Sequence, residues 1–183
     1  MIIERKDIKV LTVSGKNEKI KNKEDSYEGK NLNYFCENFN TGIKAFNMIL
    51  NERYIICKKL GINLNVIGRY DKPLKLDLYT GNIIFGSMMD VEINMCLGIN
   101  TTERGKYIHI VVSPTLNPGG VLIHTENPYD PMKERELSSK YINNRNALIK
   151  NIKEEVGKYK GHVMQCRTHD MYKLKIYLQS NSE

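Results

Sequence analysis

Residues 90–112 have the sequence DVEINMCLGINTTERGKYIHIVV, and their pattern sets the expected architecture. Apolar and polar residues alternate on both sides of a polar centre at residues 100–105. A period of two is typical of a β-strand with one buried face and one solvated face. The stretch therefore predicts a β-hairpin that joins a strand at residues 91–99 to a strand at residues 108–112.

The apolar faces of the two strands fix the predicted register of this hairpin. A shift of one residue would turn every side chain to the wrong face, so Cys96 is expected opposite His109. The polar residues expected to share the solvated face are Asp90, Glu92, Asn94, Cys96, Tyr107, His109 and Ser113. This face is the first candidate for a functional site.

Glu92 and His109 carry the catalytic hypothesis for this face. A carboxylate beside an imidazole can serve in general acid–base catalysis. On this hypothesis the protein is a small enzyme of phosphodiester or nucleotide chemistry, with Glu92 and His109 as the catalytic residues. The polar side of any amphipathic hairpin carries such residues, so a purely structural role is favoured.

The residues at the start of the chain predict a strand, a loop and a helix. Short alternation predicts a first strand within residues 2–13, and a run of polar residues predicts a mobile loop at 14–30. Apolar residues then recur at three, four or seven positions, which predicts a helix over residues 31–61. Gly61 can adopt the left-handed conformation that ends a helix.

Between this helix and the hairpin, the apolar period changes to two. Leu64 with Val66, then residues 74–78, then residues 83–85, predict three short strands separated by turns. The region therefore predicts an antiparallel meander that continues into the hairpin.

The last third of the chain predicts a strand, a long helix and a closing hairpin. Residues 121–124 predict the strand, and two prolines within residues 127–131 precede the helix, which ends at Gly161. Period-two alternation over residues 163–178 predicts the closing hairpin, and residues 180–183 predict a frayed tail.

Together these elements predict one α+β domain over residues 1–183. We expect a mostly antiparallel sheet of about six to eight strands with two long helices on one face, as a two-layer sandwich. Arg145 falls within the apolar stripe of the second helix, so it must be paired or lie at the edge of that stripe.

The composition indicates an intracellular protein. No run approaches the about 18 apolar residues of a membrane span, and charged residues interrupt the start of the chain where a signal peptide would be apolar. The four cysteines show no paired spacing, which favours reduced thiols and a cytoplasmic location. No cofactor is implied.

The net charge of +7 and the pI near 9.1 favour an anionic partner. The leading hypothesis is a non-catalytic domain that binds nucleic acid with low sequence preference, through lysines and stacking tyrosines. The residues assigned to this role are Lys133, Lys140, Lys150, Lys158, Lys173, Lys175, Tyr107, Tyr172 and Tyr177.

Two further hypotheses concern partners and source. The exposed sheet face would serve as the contact of a protein-interaction module or a homo-oligomer. The abundance of Lys, Asn and Ile is typical of AT-rich genomes, so we expect a phage, plasmid, virus or AT-rich bacterium as the source.

A metal site is a weaker hypothesis. His162, Cys166 and His169 lie within eight residues and are zinc-ligand types. A regular strand would hold His162 and Cys166 about 13 Å apart, because the rise is about 3.3 Å per residue. The expectation is therefore that no metal binds. The sequence also contains no Gly-rich phosphate-binding loop and no Gly-x-Ser-x-Gly motif.

Overall fold

A computed structural model describes residues 39–72, 74–98, 105–116 and 119–179. The predicted first strand, the predicted loop at 14–30, the first part of the predicted helix at 31–61 and the predicted tail lie outside these residues. The described residues belong to one compact unit, Asn33–Glu183.

The described helices are α1 (Lys44–Lys59), α2 (Leu78–Gly81), α3 (Ser87–Gly98), α4 (Pro131–Arg135) and α5 (Ser139–Lys158). A π-helical segment, Asn82–Gly86, joins α2 to α3 without a break. None of the helices in these ranges is long and apolar enough to cross a membrane.

The strands are β1 (Asn63–Gly68), β2 (Tyr107–Pro114), β3 (Gly120–Pro128), β4 (His162–Arg167) and β5 (Met171–Gln179). They form one five-stranded sheet in the order β1-β2-β3-β5-β4. β1 is parallel to β2, and the other neighbours are antiparallel.

The core lies between one face of this sheet and the helices. Alternate residues of the three central strands are buried, as shown by Ile108, Ile110 and Val112 on β2. The helices α1, α3 and α5 contribute the opposing apolar side chains, including Phe46, Met88 and Ile152, to the same core. The other face of the sheet carries no helix among the described elements and is open.

The α+β class and the helical layer on one face are confirmed. The number of strands and the sheet topology differ from the prediction. The parallel pairing of β1 with β2 requires a crossover between them, because parallel strands cannot be joined by a tight turn. The continuous helical segment from α2 to α3 is this crossover, and it occupies the residues expected to form the meander.

The predicted strand at residues 91–99 is wrong, because α3 covers almost all of it. Helix α3 is enclosed by the sheet and α5, so its apolar residues extend around much of its circumference. A helix without a clear polar face has no 3.6-residue period, and its apolar residues also fit a period of two. The alternation that predicted a strand therefore reflects burial on several sides.

Two residues at the start of the crossover mark it as a helix. Asp77 caps α2 by accepting a hydrogen bond from the Thr80 backbone N–H at 2.9 Å. Gly81 faces Ala45 of α1 so closely that a Cβ at this position would lie 2.5 Å from the Ala45 Cβ. The residues taken for a turn, 80–82, therefore form part of a helix–helix contact.

Candidate functional site

The structure separates Glu92 from His109. Glu92 lies on α3 and is fully buried on the helical side of the sheet. His109 lies on β2 and on the open face, where its Nδ1 is 3.1 Å from Asn65 Nδ2. The predicted catalytic pair is therefore not brought together, because it depended on a strand where the chain forms a helix.

The other residues expected beside this pair are also dispersed. Asp90 faces α1, and its carboxylate is 3.1 Å from Arg53 Nε. Cys96 is buried, and its thiol donates to the Tyr107 backbone carbonyl at 3.2 Å. Burial raises the pKa of the Cys96 thiol, and the nearby Glu92 raises it further. Cys96 is therefore a poor candidate for a reactive thiolate.

A different group of polar residues meets between α3, α4, α5 and the sheet. We call this group the polar cluster. Its members are Glu92, Thr125, Asn127, Tyr129, Glu134, Tyr141, Arg145 and Arg167. They come from α3, β3, the residue after β3, α4, α5 and β4.

Glu92 is the innermost acid of the polar cluster. Its Oε1 accepts a hydrogen bond from the Thr125 hydroxyl at 2.5 Å, and this hydroxyl is also 3.3 Å from the Leu174 carbonyl oxygen. Burial raises the pKa of Glu92 to about 8, against the opposing effect of the Thr125 hydrogen bond. The Glu92 side chain is therefore mainly a neutral carboxylic acid at pH 7.

Asn127 holds β3 against α3 beside this acid. Its Nδ2 donates to the Glu92 backbone carbonyl at 3.2 Å, and the residue is fully buried. Thr125 and Asn127 are two residues apart on β3, so both side chains point to the helical face of the sheet. The usual apolar alternation of a strand is replaced here by two hydrogen-bonding side chains.

Arg145 and Glu134 form the ionic part of the polar cluster. Arg145 is 5% exposed, and its Nη1 is 2.6 Å from Glu134 Oε1. Arg167 Nη2 lies 3.6 Å from the same oxygen, and the Tyr129 hydroxyl donates to Glu134 Oε2. Burial alone would raise the pKa of Glu134, but the Tyr129 and Arg145 hydrogen bonds and the two arginine charges lower it overall.

Several atoms of the polar cluster are buried without a hydrogen-bond partner. They include Glu92 Oε2, Asn127 Oδ1, Tyr141 Oη and Arg145 Nε. A buried polar atom without a partner costs about 1–3 kcal/mol, so such atoms are few in native proteins. Their concentration in one place makes the polar cluster the candidate functional site.

A surface concavity lies elsewhere, along the outer edge of β1. Its lining residues are Phe39, Asn40, Thr41, Asn63, Leu64, Asn65, Val66 and Gly68. None of these side chains titrates, and β1 is two strands away from β3, which carries Thr125. The side chains that line the concavity offer only neutral hydrogen bonds, whereas the polar cluster also contains carboxyl and guanidinium groups.

The residues predicted to bind nucleic acid do not form one surface. Lys140, Lys150 and Lys158 lie on the outer side of α5, whereas Lys173, Lys175, Tyr107 and Tyr177 lie on the open face of the sheet. These two surfaces are on opposite sides of the sandwich. Lys133 lies on α4, and Tyr172 is buried with no exposed ring to stack on a base.

Ion pairs also neutralise part of this charge. Lys158 Nζ is 2.6 Å from Glu155, and Lys173 Nζ is 3.3 Å from Glu126. Lys150 Nζ is 3.7 Å from Glu154. The net positive charge of the sequence is therefore not concentrated on one phosphate-binding groove.

The three candidate metal ligands are not gathered into one site. His162 and Cys166 lie at the two ends of β4, and His169 lies in the turn after it. His162 stacks on Tyr177 with ring centroids 4.9 Å apart. Within residues 39–179, as far as they are described, no group of three His, Cys, Asp or Glu side chains could hold a metal ion.

The sequence singled out two members of the polar cluster, Arg145 and Glu92, and missed the others. Arg145 was expected to be paired because it interrupts an apolar stripe, and the structure pairs it with Glu134. Thr125 and Asn127 were missed, although they interrupt the apolar alternation that begins at Val121. Glu92 was found, but with the wrong element and the wrong partner.

Comparisons with known proteins support the fold. No family model matches the chain, and no curated protein matches it by sequence. Among solved structures it is similar to the Acinetobacter baumannii histidine kinase AdeS, with a TM-score of 0.52 and 10% identity over 76% of this chain. The chain spans 64% of the AdeS chain.

A second similar structure is the catalytic domain of the histidine kinase ThkA, with a TM-score of 0.47 and 10% identity. It covers 75% of this chain and 90% of the ThkA chain.

The likeness to AdeS overturns the prediction of a non-catalytic nucleic-acid-binding domain. The prediction rested on net charge, which does not specify a fold. The expected phage, plasmid or viral source has no support in these comparisons either. The comparisons establish that the chain shares its fold with part of the AdeS structure.

Proposed function

We propose that the chain is a nucleotide-binding domain with a kinase-like fold, and that the nucleotide binds at the polar cluster. The observation that carries this proposal is the group of buried polar atoms without partners at Glu92, Asn127, Tyr141 and Arg145. A ligand with several hydrogen-bonding atoms would satisfy them together.

The two halves of the polar cluster suit the two halves of a nucleotide. Glu92, Thr125 and Asn127 offer neutral donors and acceptors within an apolar core, which match the polar edge of a nucleobase. Arg145 and Arg167 offer guanidinium groups, which match phosphate oxygens.

The fold adds independent support to this proposal. AdeS is a histidine kinase, and a kinase takes its phosphoryl group from a nucleoside triphosphate. An AdeS-like fold in this chain makes a nucleotide the first ligand to test.

The test is isothermal titration of the full chain with ATP, ADP and AMP, with and without Mg²⁺. We expect saturable binding of ATP that weakens in Thr125→Val, which removes the hydroxyl and keeps the shape of the side chain. Lys175→Gln is the matched control, because Lys175 is the neighbour of Leu174 on β5 but faces the open side.

Two results would contradict the proposal. One is the absence of binding by the folded chain up to millimolar ATP. The other is binding that Lys175→Gln abolishes and Thr125→Val leaves unchanged, because this would place the nucleotide on the open face.

A further inference from the structure

We propose that Arg145, Arg167 and the Tyr129 hydroxyl form an anion-binding subsite, and that Glu134 of α4 occupies it as a built-in competitor. A phosphate-bearing ligand would bind there by displacing the Glu134 carboxylate. The identification of this ligand as a nucleotide rests on the proposed function, but the subsite itself rests on the contacts of Glu134.

Three donors converge on the Glu134 carboxylate. Arg145 approaches it from α5 at 2.6 Å, Arg167 from β4 at 3.6 Å, and Tyr129 donates from the residue after β3. Two guanidinium groups and a phenol from three separate parts of the chain form a typical setting for a phosphate group, which carries more acceptor oxygens than a carboxylate.

Arg145 has more hydrogen-bond donors than Glu134 satisfies. A guanidinium has five N–H donors, and Arg145 is 5% exposed. Its Nη1 is also 3.3 Å from the thioether sulfur of Met95, which is a weak acceptor, and its Nε has no partner. The carboxylate therefore fills the subsite incompletely, and further acceptor oxygens would be stabilised there.

Helix α4 has little buried surface to hold it in place. It has five residues, none of them buried, and Met132 is 63% exposed. Its start is fixed locally, because Asp130 accepts hydrogen bonds from the Met132 and Lys133 backbone N–H groups. The Glu134 side chain is 16% exposed and provides the ionic contacts of α4 with Arg145 and Arg167. Withdrawal of Glu134 therefore need not disturb the core.

The experiment measures the affinity of inorganic pyrophosphate for the full chain in chloride buffers of equal ionic strength. Glu134→Gln keeps the size of the side chain and removes its charge. We expect this variant to bind pyrophosphate about tenfold more tightly than the unmodified chain, since the ligand no longer competes with a charged hydrogen-bonding group. Glu136→Gln is the matched control, because Glu136 is exposed and directly follows α4.

A second variant separates binding from folding. Arg167 is exposed at the end of β4, so Arg167→Gln should fold normally. In the Glu134→Gln background we expect it to weaken pyrophosphate binding several-fold. In the unmodified chain, pyrophosphate should also accelerate hydrogen exchange of the α4 amides, because the helix loses its ionic contact when Glu134 leaves.

The outcomes distinguish this inference from the proposed function. Equal pyrophosphate affinity in Glu134→Gln and the unmodified chain, or no binding by either, would overturn the inference. ATP binding that Glu134→Gln leaves unchanged would overturn the inference and leave the proposed function standing. Tighter pyrophosphate binding in Glu134→Gln, with ATP bound no better than pyrophosphate, would support the subsite and count against a nucleotide.

Discussion

The two faces of strand β3 present polar residues in opposite settings. On the open face, Glu126 forms an ion pair with Lys173, and both side chains remain about one-third exposed. On the helical face, Thr125 and Asn127 are fully buried beside Glu92, where polar atoms remain without partners. Water can therefore hydrogen-bond to the polar groups on the open face but cannot reach those on the helical face. The unpartnered polar groups on the helical face are for this reason the functional candidates.

Of the residues on the two faces and beside them, Glu92 should have the largest effect on the free energy of unfolding. The folded chain holds the Glu92 proton up to about pH 8, whereas an unfolded chain releases it near the ordinary value of 4.5. The free energy of unfolding should therefore fall as pH rises from about 5 to about 8, by up to about 5 kcal/mol from this group.

Glu92→Gln should remove this contribution, because an amide does not titrate. Urea denaturation across the same pH range measures it as the difference between the variant and the unmodified chain. Glu136→Gln is the control, because Glu136 is exposed. Parallel pH profiles of Glu92→Gln and the unmodified chain would show that Glu92 is ionised in the folded state.

Thr125 should have an intermediate effect on the free energy of unfolding. Thr125→Val removes the hydroxyl that donates to Glu92, which should lower the free energy of unfolding by about 1–3 kcal/mol. The hydrogen bond from Thr125 lowers the pKa of Glu92, so the variant should also extend the pH dependence to higher pH. Thr125→Ser keeps the hydroxyl, and a similar pH profile for the Ser and Val variants would exclude the hydrogen bond as the cause.

Lys173, on the open face, should have the smallest effect on the free energy of unfolding. Lys173→Gln breaks the ion pair with Glu126, and a partly exposed pair contributes less than about 1 kcal/mol. The loss should diminish at high salt, because screening weakens the pair in the unmodified chain. Lys175→Gln is the control. A salt-independent loss above about 2 kcal/mol would mean that the open face is covered in the folded protein.

Much of the fold follows from the sequence where one face of an element meets water. Helix α5, strands β1, β2 and β3, and the closing hairpin of β4 and β5 were predicted near their observed positions. Apart from β4, which has no fully buried residue, each of these elements has one buried face and one solvated face, so its hydrophobic period reports its geometry. Gly61, with φ of 67°, also lies just beyond the end of α1 as expected.

The crossover from α2 to α3 could not be predicted in the same way. Residues such as Met88, Met89 and Val91 are buried in succession, so no polar face sets a period. Only tertiary packing decides between a buried strand and a buried helix there. Since Glu92 lies in this segment, the error in secondary structure also misplaced the candidate site on the open face.

Membership of the polar cluster depends on contacts between residues far apart in sequence. Glu92 and Thr125 are 33 positions apart, and no periodic pattern links them. Arg145 was the exception, because a charge in an apolar stripe requires a partner. Its partner, Glu134, lies on a helix of five residues with no buried side chain, so no hydrophobic period could predict this helix.

Methyl NMR of the full chain during titration with ATP and Mg²⁺ is the most direct test of nucleotide binding at the polar cluster. Thr125 reports on the polar cluster, whereas Val111 and Leu122 report on the open face of the same sheet. We predict that ATP shifts the Thr125 methyl signal and leaves the Val111 and Leu122 signals unchanged. A shift confined to Val111 and Leu122, or no shift at saturating ATP, would contradict nucleotide binding at the polar cluster.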